Sequence, residues 1–232
     1  MSIVVPAVLP PSKRELEEAL ARIALVLSVS RVQLDVVDGR FATPASWPYT
    51  APAELQTMIA GAQMLPHIGR FEYEIDLMCL DVERAAGAWL KLGAARLTFH
   101  VESVTDLPRS LTSLRRRYGG FVSFGLALNV TTDPVLIESC LDEIQYVQFM
   151  GIERIGRQGQ PFDRRVFERV RTFRERYPEL PVQVDGGISL ENARALIALG
   201  VSNLVVGSAL LRADDLDAAV AAFDDLKSPF GV

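Results

Sequence analysis

The chain has 232 residues, 49% hydrophobic and 23% charged, enough to bury a substantial core in a single domain over 1–232. A formal net charge of −5 and a pI near 5.2 argue against nucleic acid or an anionic membrane surface as the main partner. Only two cysteines are present, Cys79 and Cys140, and no apolar run is long enough for a bilayer, so the expected location is the cytoplasm.

The first strand falls on IVVPAVL (3–9). SKRELEEALARIALVL (12–27) follows at helical period, with Ser12 and Glu15 spaced as a capping box. RVQLDVV (31–37) is the second strand and APAELQTMIAGAQM (51–64) its helix. FEYEIDLM (71–78) and DVERAAGAWLKLG (81–93) repeat the pair, and ARLTFHVE (95–102) leads to the basic stretch RSLTSLRRRYGG (109–120), read as a solvated helix face. VSFGLALNV (122–130) precedes the helical pattern DPVLIESCLDEI (133–144). YVQFMG (146–151) precedes a loop and FDRRVFERVRTFRERY (162–177). PVQVDGG (181–187) precedes LENARALIALG (190–200), and NLVVGSA (203–209) precedes a short helical segment near 209–212. Strand and helix alternating in this way, in a chain close to the usual size of about 250 residues, predict a (β/α)8 TIM barrel of the α/β class.

In such a barrel the C-terminal strand ends face the active site. Gln33, Asp35 and Asp38 belong to the second strand end, Glu74 and Asp76 to the third, and His100 and Glu102 to the fourth. Asn129 belongs to the fifth, and Gln183 and Asp185 to the seventh. Period-two alternation puts Gln33 with Asp35, Glu74 with Asp76, and Gln183 with Asp185 on shared faces, so acids from distant strands converge on one mouth. Asp38 serves either as a cap for the following loop or as a ligand, and His67 reads as a surface residue.

QLDVVDG (33–39), EIDLM (74–78), FHVES (99–103), MGIERIGRQGQPF (150–162), QVDGGI (183–188) and VGSA (206–209) occur in order. Together they resemble the ribulose-phosphate 3-epimerase family, which shows HxDxMDG, DxHLM, HxE, a glycine-rich loop, VDGGI and a GS pair on the corresponding strands. The resemblance implies proton transfer beside a ketose carbonyl, with one aspartate per face of the sugar around a metal-stabilised enediolate. Here those aspartates are Asp35 and Asp185. His100 with Glu102 could form a catalytic dyad, but the resemblance makes His100 a supporting residue lining the pocket; Met78 and Met150 read as pocket packing. It also implies a homo-oligomer.

The departures from that pattern carry their own chemistry. The family's metal is held by two histidines and two aspartates, but Gln33 and Asp76 occupy the histidine positions and Ala7 stands where a serine is usual. Gln33, Asp35, Asp76 and Asp185 form an oxygen-rich ligand set suited to Mg²⁺ or Mn²⁺ rather than Zn²⁺. A metal-free site is the alternative, in which crowded carboxylates repel and one stays protonated near neutrality.

Gly186 and Gly187, Gly207 and Ser208, and Gly156 and Gly159 sit where tight turns and helix N-termini bind phosphate, so a small phosphorylated sugar is the expected partner. Arg154 and Arg157, gained in the loop after the sixth strand, are candidates for an anion contact. The competing functions are a phosphosugar aldolase or decarboxylase and a non-catalytic phosphosugar-binding barrel that has lost the metal site. The aldolases and decarboxylases commonly use a strand-end DxK lysine, and no lysine falls on a strand here.

Overall fold

A computed structural model describes residues 2–226. Eight parallel strands close into a barrel in sequence order: β1 (Val4–Val8), β2 (Arg31–Val37), β3 (Glu72–Met78), β4 (Ala94–His100), β5 (Ser123–Leu128), β6 (Tyr146–Met150), β7 (Val182–Asp185) and β8 (Asn203–Val206). The ring is closed by β1 pairing with β8 through Val4 to Leu204, Val5 to Val205 and Pro6 to Val206. Helices α1 (Lys13–Ile23), α2 (Pro52–Ala60), α3 (Val82–Lys91), α4 (Leu107–Tyr118), α5 (Arg165–Arg176), α6 (Leu190–Ala198), α7 (Ser208–Leu211) and α8 (Leu216–Asp224) follow the strands. Among the described residues no helix is long and apolar enough to cross a membrane.

Alternation along each strand sorts the side chains between two environments. Val32, Leu34 and Val36 of β2, Tyr73, Ile75 and Leu77 of β3, and Phe124, Leu126 and Leu128 of β5 point outward into the main apolar core beneath the helices. The intervening residues point into the barrel, and there the core is polar: Gln33, Asp35, Glu74, Asp76, Thr98, His100, Gln148, Gln183 and Asp185 are all buried. Val5, Ala7 and Val205 form one small separate apolar cluster among them, and Val37 and Met78 form another with Ala42 toward the mouth. β5 contributes small inward residues for a steric reason. A Cβ on Gly125 would lie 2.1 Å from the Tyr146 ring, so glycine there makes room for the tyrosine.

Tyr146 in turn carries the Arg96 guanidinium over its face at 4.1 Å. Arg96 Nε donates to Glu74 Oε2 at 2.9 Å, and Thr98 Oγ1 donates to Glu74 Oε1 at 3.1 Å. The base of the barrel is thus organised around one buried, multiply bonded carboxylate.

Several boundaries differ from the sequence expectation. Residues 133–144 form a 3-10 stretch, Pro134–Glu143, in place of an α-helix; Asp133 caps it through Val135 N, and only Ile137 and Cys140 are buried. α1 stops at Ile23, leaving Leu25 and Leu27 exposed in the turn to β2. β5 ends at Leu128 and β4 at His100, so Asn129 and Glu102 lie beyond their strands. α8 was not expected, although Asp215 caps it and Leu216, Val220 and Phe223 repeat at helical spacing.

Removing the Glu74 carboxylate should strand the Arg96 charge, which is only 12% exposed. Glu74→Ala is expected to cost about 3–5 kcal/mol in urea unfolding; a loss of under about 1 kcal/mol, the range of an exposed ion pair, contradicts this account of the barrel floor.

Candidate active site

The three strand-end aspartates meet at the centre of the barrel mouth. β2 and β3 run in register with Asp35 opposite Asp76, while Asp185 ends β7 on the far side of β1 and β8. One oxygen from each carboxylate lies within 4.8 Å of the others, and all three residues are buried. Asp35 and Asp185 are each 7% exposed and line the cavity above, whereas Asp76 is fully sealed and does not. Two of the acids therefore face the cavity, and the third lies behind them with an oxygen in the same cluster.

Donors converge on the acids from below. Gln33 Nε2 donates to Asp35 Oδ1 at 2.9 Å and to Asp185 Oδ2 at 2.8 Å. Gln148 Nε2 donates to Asp76 Oδ2 at 3.0 Å, and His100 Nε2 is 2.9 Å from Asp76 Oδ1. Even so the acids are not at ease. Burial, followed by the charge of Asp76, pushes the Asp35 carboxyl up to about 8, against the lowering influence of the Gln33 bond. Burial and then the charges of Asp35 and Asp76 raise Asp185 well above the ordinary carboxylate range. For His100, burial alone would depress the imidazolium, but the charge and hydrogen bond of Asp76 outweigh it and raise the pKa.

This arrangement fits a divalent cation. Three carboxylates share one point, and the Oε1 of Gln33 is buried with no hydrogen-bond partner. In the geometry seen, the nitrogen face of Gln33 bridges Asp35 and Asp185, doing part of a cation's work; Oε1 is the oxygen left over for a metal if the amide turns.

The cavity wall above the acids is formed by Ala7, Met78, Met150 and three glycine-bearing loops. Gly186 and Gly187 both have positive φ, and a Cβ on Gly187 would come within 2.8 Å of the Phe162 backbone. Gly156 and Gly159 also have positive φ, and both line the cavity with Arg157. Gly207 and Ser208 complete the wall, with Gln158 packed against Gly207 and donating to Ala7 O at 3.2 Å. The glycines after β6, β7 and β8 thus come together as the sequence led one to expect.

Other candidates fall elsewhere. His100 has no exposure and sits behind Asp76, away from the cavity wall. Arg154 is exposed and off the wall, whereas Arg157 is on it and donates through Nε to Thr43 O at 2.9 Å. Asp38 is a loop cap: Oδ1 accepts from Arg40 N and Phe41 N, each at 2.7 Å, and Oδ2 from Leu80 N at 2.9 Å. That staple joins the loops after β2 and β3. Glu102 accepts from Asn129 N at 2.9 Å and Asn129 is off the wall; His67 is exposed. Gln148 was not singled out from sequence, although alternation in YVQFM places it inward as surely as Gln183.

Comparison with known proteins bears on the family and the fold. The model of the ribulose-phosphate 3 epimerase family matches residues 3–211. A ribulose-phosphate 3-epimerase of Mycobacterium leprae is 29% identical over 203 residues, covering 86% of this chain and 84% of that protein. One of Escherichia coli is 24% identical over 234 residues, covering 97% and 95%. Among solved structures, 3-hexulose-6-phosphate synthase from Salmonella typhimurium superimposes with a TM-score of 0.68 over 98% of both chains. At 17% identity that likeness bears on the fold alone.

The raised acids have a consequence for stability in chelator. A folded state that keeps a proton on Asp35 up to about pH 8 holds it where the unfolded chain, at 3.8, has released it. Stability therefore falls as pH rises between those values and levels off above them. In EDTA the urea midpoint should drop from pH 5 to pH 8, and Asp35→Asn should make that drop shallower. An unchanged slope in the variant would mean that Asp35 ionises normally.

Proposed function

The chain belongs to the ribulose-phosphate 3-epimerase family, and on that premise we propose that it epimerises a ketose phosphate at C3 through an enediolate, with Asp35 and Asp185 transferring the proton. The observation that carries this reading is that these two acids, and not Asp76, reach the cavity, from strands separated by β1 and β8. Inversion requires removal of the C3 proton from one face of the sugar and delivery to the other, which a single group cannot do. The site provides two acids whose proton affinities burial and neighbouring carboxylate charges have lifted, so one can hold a proton while the other is a base. The carboxylate takes the C3 proton, the electrons move onto the C2 carbonyl oxygen, and the facing carboxylic acid returns a proton to the opposite side of C3. The two acids end with their protonation states exchanged, which readies the pair for the reverse direction.

The residues fitted for a metal are Asp35, Asp76, Asp185 and the Oε1 of Gln33. A divalent ion there would supply positive charge beside the enediolate oxygens, and an all-oxygen donor set favours Mg²⁺ or Mn²⁺ over Zn²⁺. The substrate phosphate is assigned to Gly156, Gly159, Gly186, Gly187, Gly207 and Ser208, with Arg157 as an added anion contact; their shared cavity wall supports this. Met78 and Met150 pack the sugar's apolar edge, and His100 steadies Asp76 from behind. The reading further places the protein in the cytoplasm as a homo-oligomer, supported by two free cysteines and by exposed Leu25, Leu27 and Phe121. A non-catalytic barrel is not favoured, since both acids that inversion needs are present and turned to the cavity.

Wash-in of solvent deuterium at C3 of D-ribulose 5-phosphate, with and without Mn²⁺, is the test. Wild type should exchange and epimerise, and Asp185→Asn should lose epimerisation by at least about a hundredfold, at the lower end of what a positioned acid or base contributes. Arg157→Ala should weaken half-saturation while exchange at saturation persists. Epimerisation that survives in Asp185→Asn removes the two-acid mechanism.

A further inference from the structure

The acid cluster raises a question that its ligand role does not answer: what keeps three buried carboxylates aimed at one another? Part of the answer lies in a side chain with no exposure, one layer down on β6.

We infer that Gln148 is a positioning residue for the metal-binding acids, and that its amide is held the right way up by a one-directional chain of hydrogen bonds rising from the Arg96–Glu74 ion pair. This rests on the proposed cation site. The chain begins with Arg96 Nε donating to Glu74 at 2.9 Å. The Glu74 carboxylate has only acceptors to offer, so the amide that meets it, that of Gln183, must present its nitrogen. The same Gln183 nitrogen donates to Gln148 Oε1 at 2.7 Å. With its oxygen engaged below, Gln148 can turn only its nitrogen upward. That nitrogen donates to Asp76 Oδ2 at 3.0 Å and lies 3.4 Å from both Asp185 Oδ2 and Met150 Sδ. A reversed Gln148 would set its oxygen against two carboxylate oxygens and lose the Gln183 bond as well.

The effect on the acids is specific. Asp76 has Oδ2 tied by Gln148 and Oδ1 by His100, which fixes the carboxylate plane. Asp185 has Oδ2 shared between Gln148 and Gln33, which leaves Oδ1 for the cavity. Gln33 bridges Asp35 with Asp185 and Gln148 bridges Asp76 with Asp185, so two amides knit three acids into one unit. A position that imidazole fills in the family's pattern is here the carboxylate Asp76, and Gln148 supplies a donor that this extra acid requires.

Ligand-orienting residues of this kind typically account for about 10- to 100-fold in metal affinity. The test is Mn²⁺ binding to the full chain after chelator treatment, read from the free-ion electron paramagnetic resonance signal in wild type, Gln148→Leu and Asp35→Asn. Wild type should bind about one equivalent and Asp35→Asn should lose the site. Gln148→Leu, of nearly the same bulk, should stay folded by circular dichroism and bind about 10- to 100-fold more weakly. Should the leucine not be tolerated, Gln148→Met carries the same measurement, and Gln183→Leu, which frees the Gln148 amide to turn, should weaken binding in the same direction. Wild-type affinity in a folded Gln148 variant overturns the positioning role and leaves the cation site standing. No Mn²⁺ binding in wild type overturns the cation site, and the inference with it.

Discussion

Three buried carboxylates with oxygens inside a 4.8 Å span are the constraint around which the barrel is arranged. At that separation two ionised acids repel by roughly 3 kcal/mol for an effective dielectric near 20, and each carries a burial penalty of several kcal/mol besides. Hydrogen bonds to charged groups return about 1.5–3 kcal/mol apiece. The amides of Gln33 and Gln148 and the His100 imidazole soften the conflict without removing it, and so Asp35 and Asp185 are raised rather than lowered. A retained proton or a bound cation relieves the rest. Both are what an inverting acid–base pair makes use of.

The scaffold tolerates this because its two sides are specialised. The outward faces of the strands and the inner faces of the helices make a continuous apolar core, which leaves the barrel lumen free to be polar. Small inward residues on β5 admit Tyr146 and the Arg96 guanidinium stacked on it, and from that pair Glu74, Gln183 and Gln148 build upward to the acids. Loops then finish the mouth. Asp38 pins the loop after β2 to Leu80, and positive-φ glycines after β6 and β7 let backbone approach the cavity where a side chain would collide.

Much of this was legible in the sequence because alternation is strict. The eight strands, the shared faces of Gln33 with Asp35 and Gln183 with Asp185, and the meeting of the glycine loops follow from period-two patterning in a closed ring. Direction was harder to read than position. That the Gln33 nitrogen faces the acids, that Asp76 is sealed while its neighbours are not, and that His100 stands behind Asp76 depend on which rotamers the packed lumen allows. Gln148 escaped notice because one amide within YVQFM looks like a minor interruption until the strands close around it. The 3-10 stretch Pro134–Glu143 was misread as an α-helix because apolar spacing alone does not separate the two when few of its side chains are buried.

The central claim is that Asp35, Asp76 and Asp185 act as one unit that takes an oxygen-seeking cation beside the sugar-phosphate cavity. A crystal structure of the protein grown with Mn²⁺ and a non-reacting ketose-phosphate analogue tests it most directly, with data collected at the manganese absorption edge. The account predicts a single anomalous peak among those carboxylates with the Gln33 oxygen turned toward it, and the phosphate against the glycine loops. Manganese bound elsewhere, or acids pointing into separate spaces with the sugar outside the barrel mouth, would contradict it.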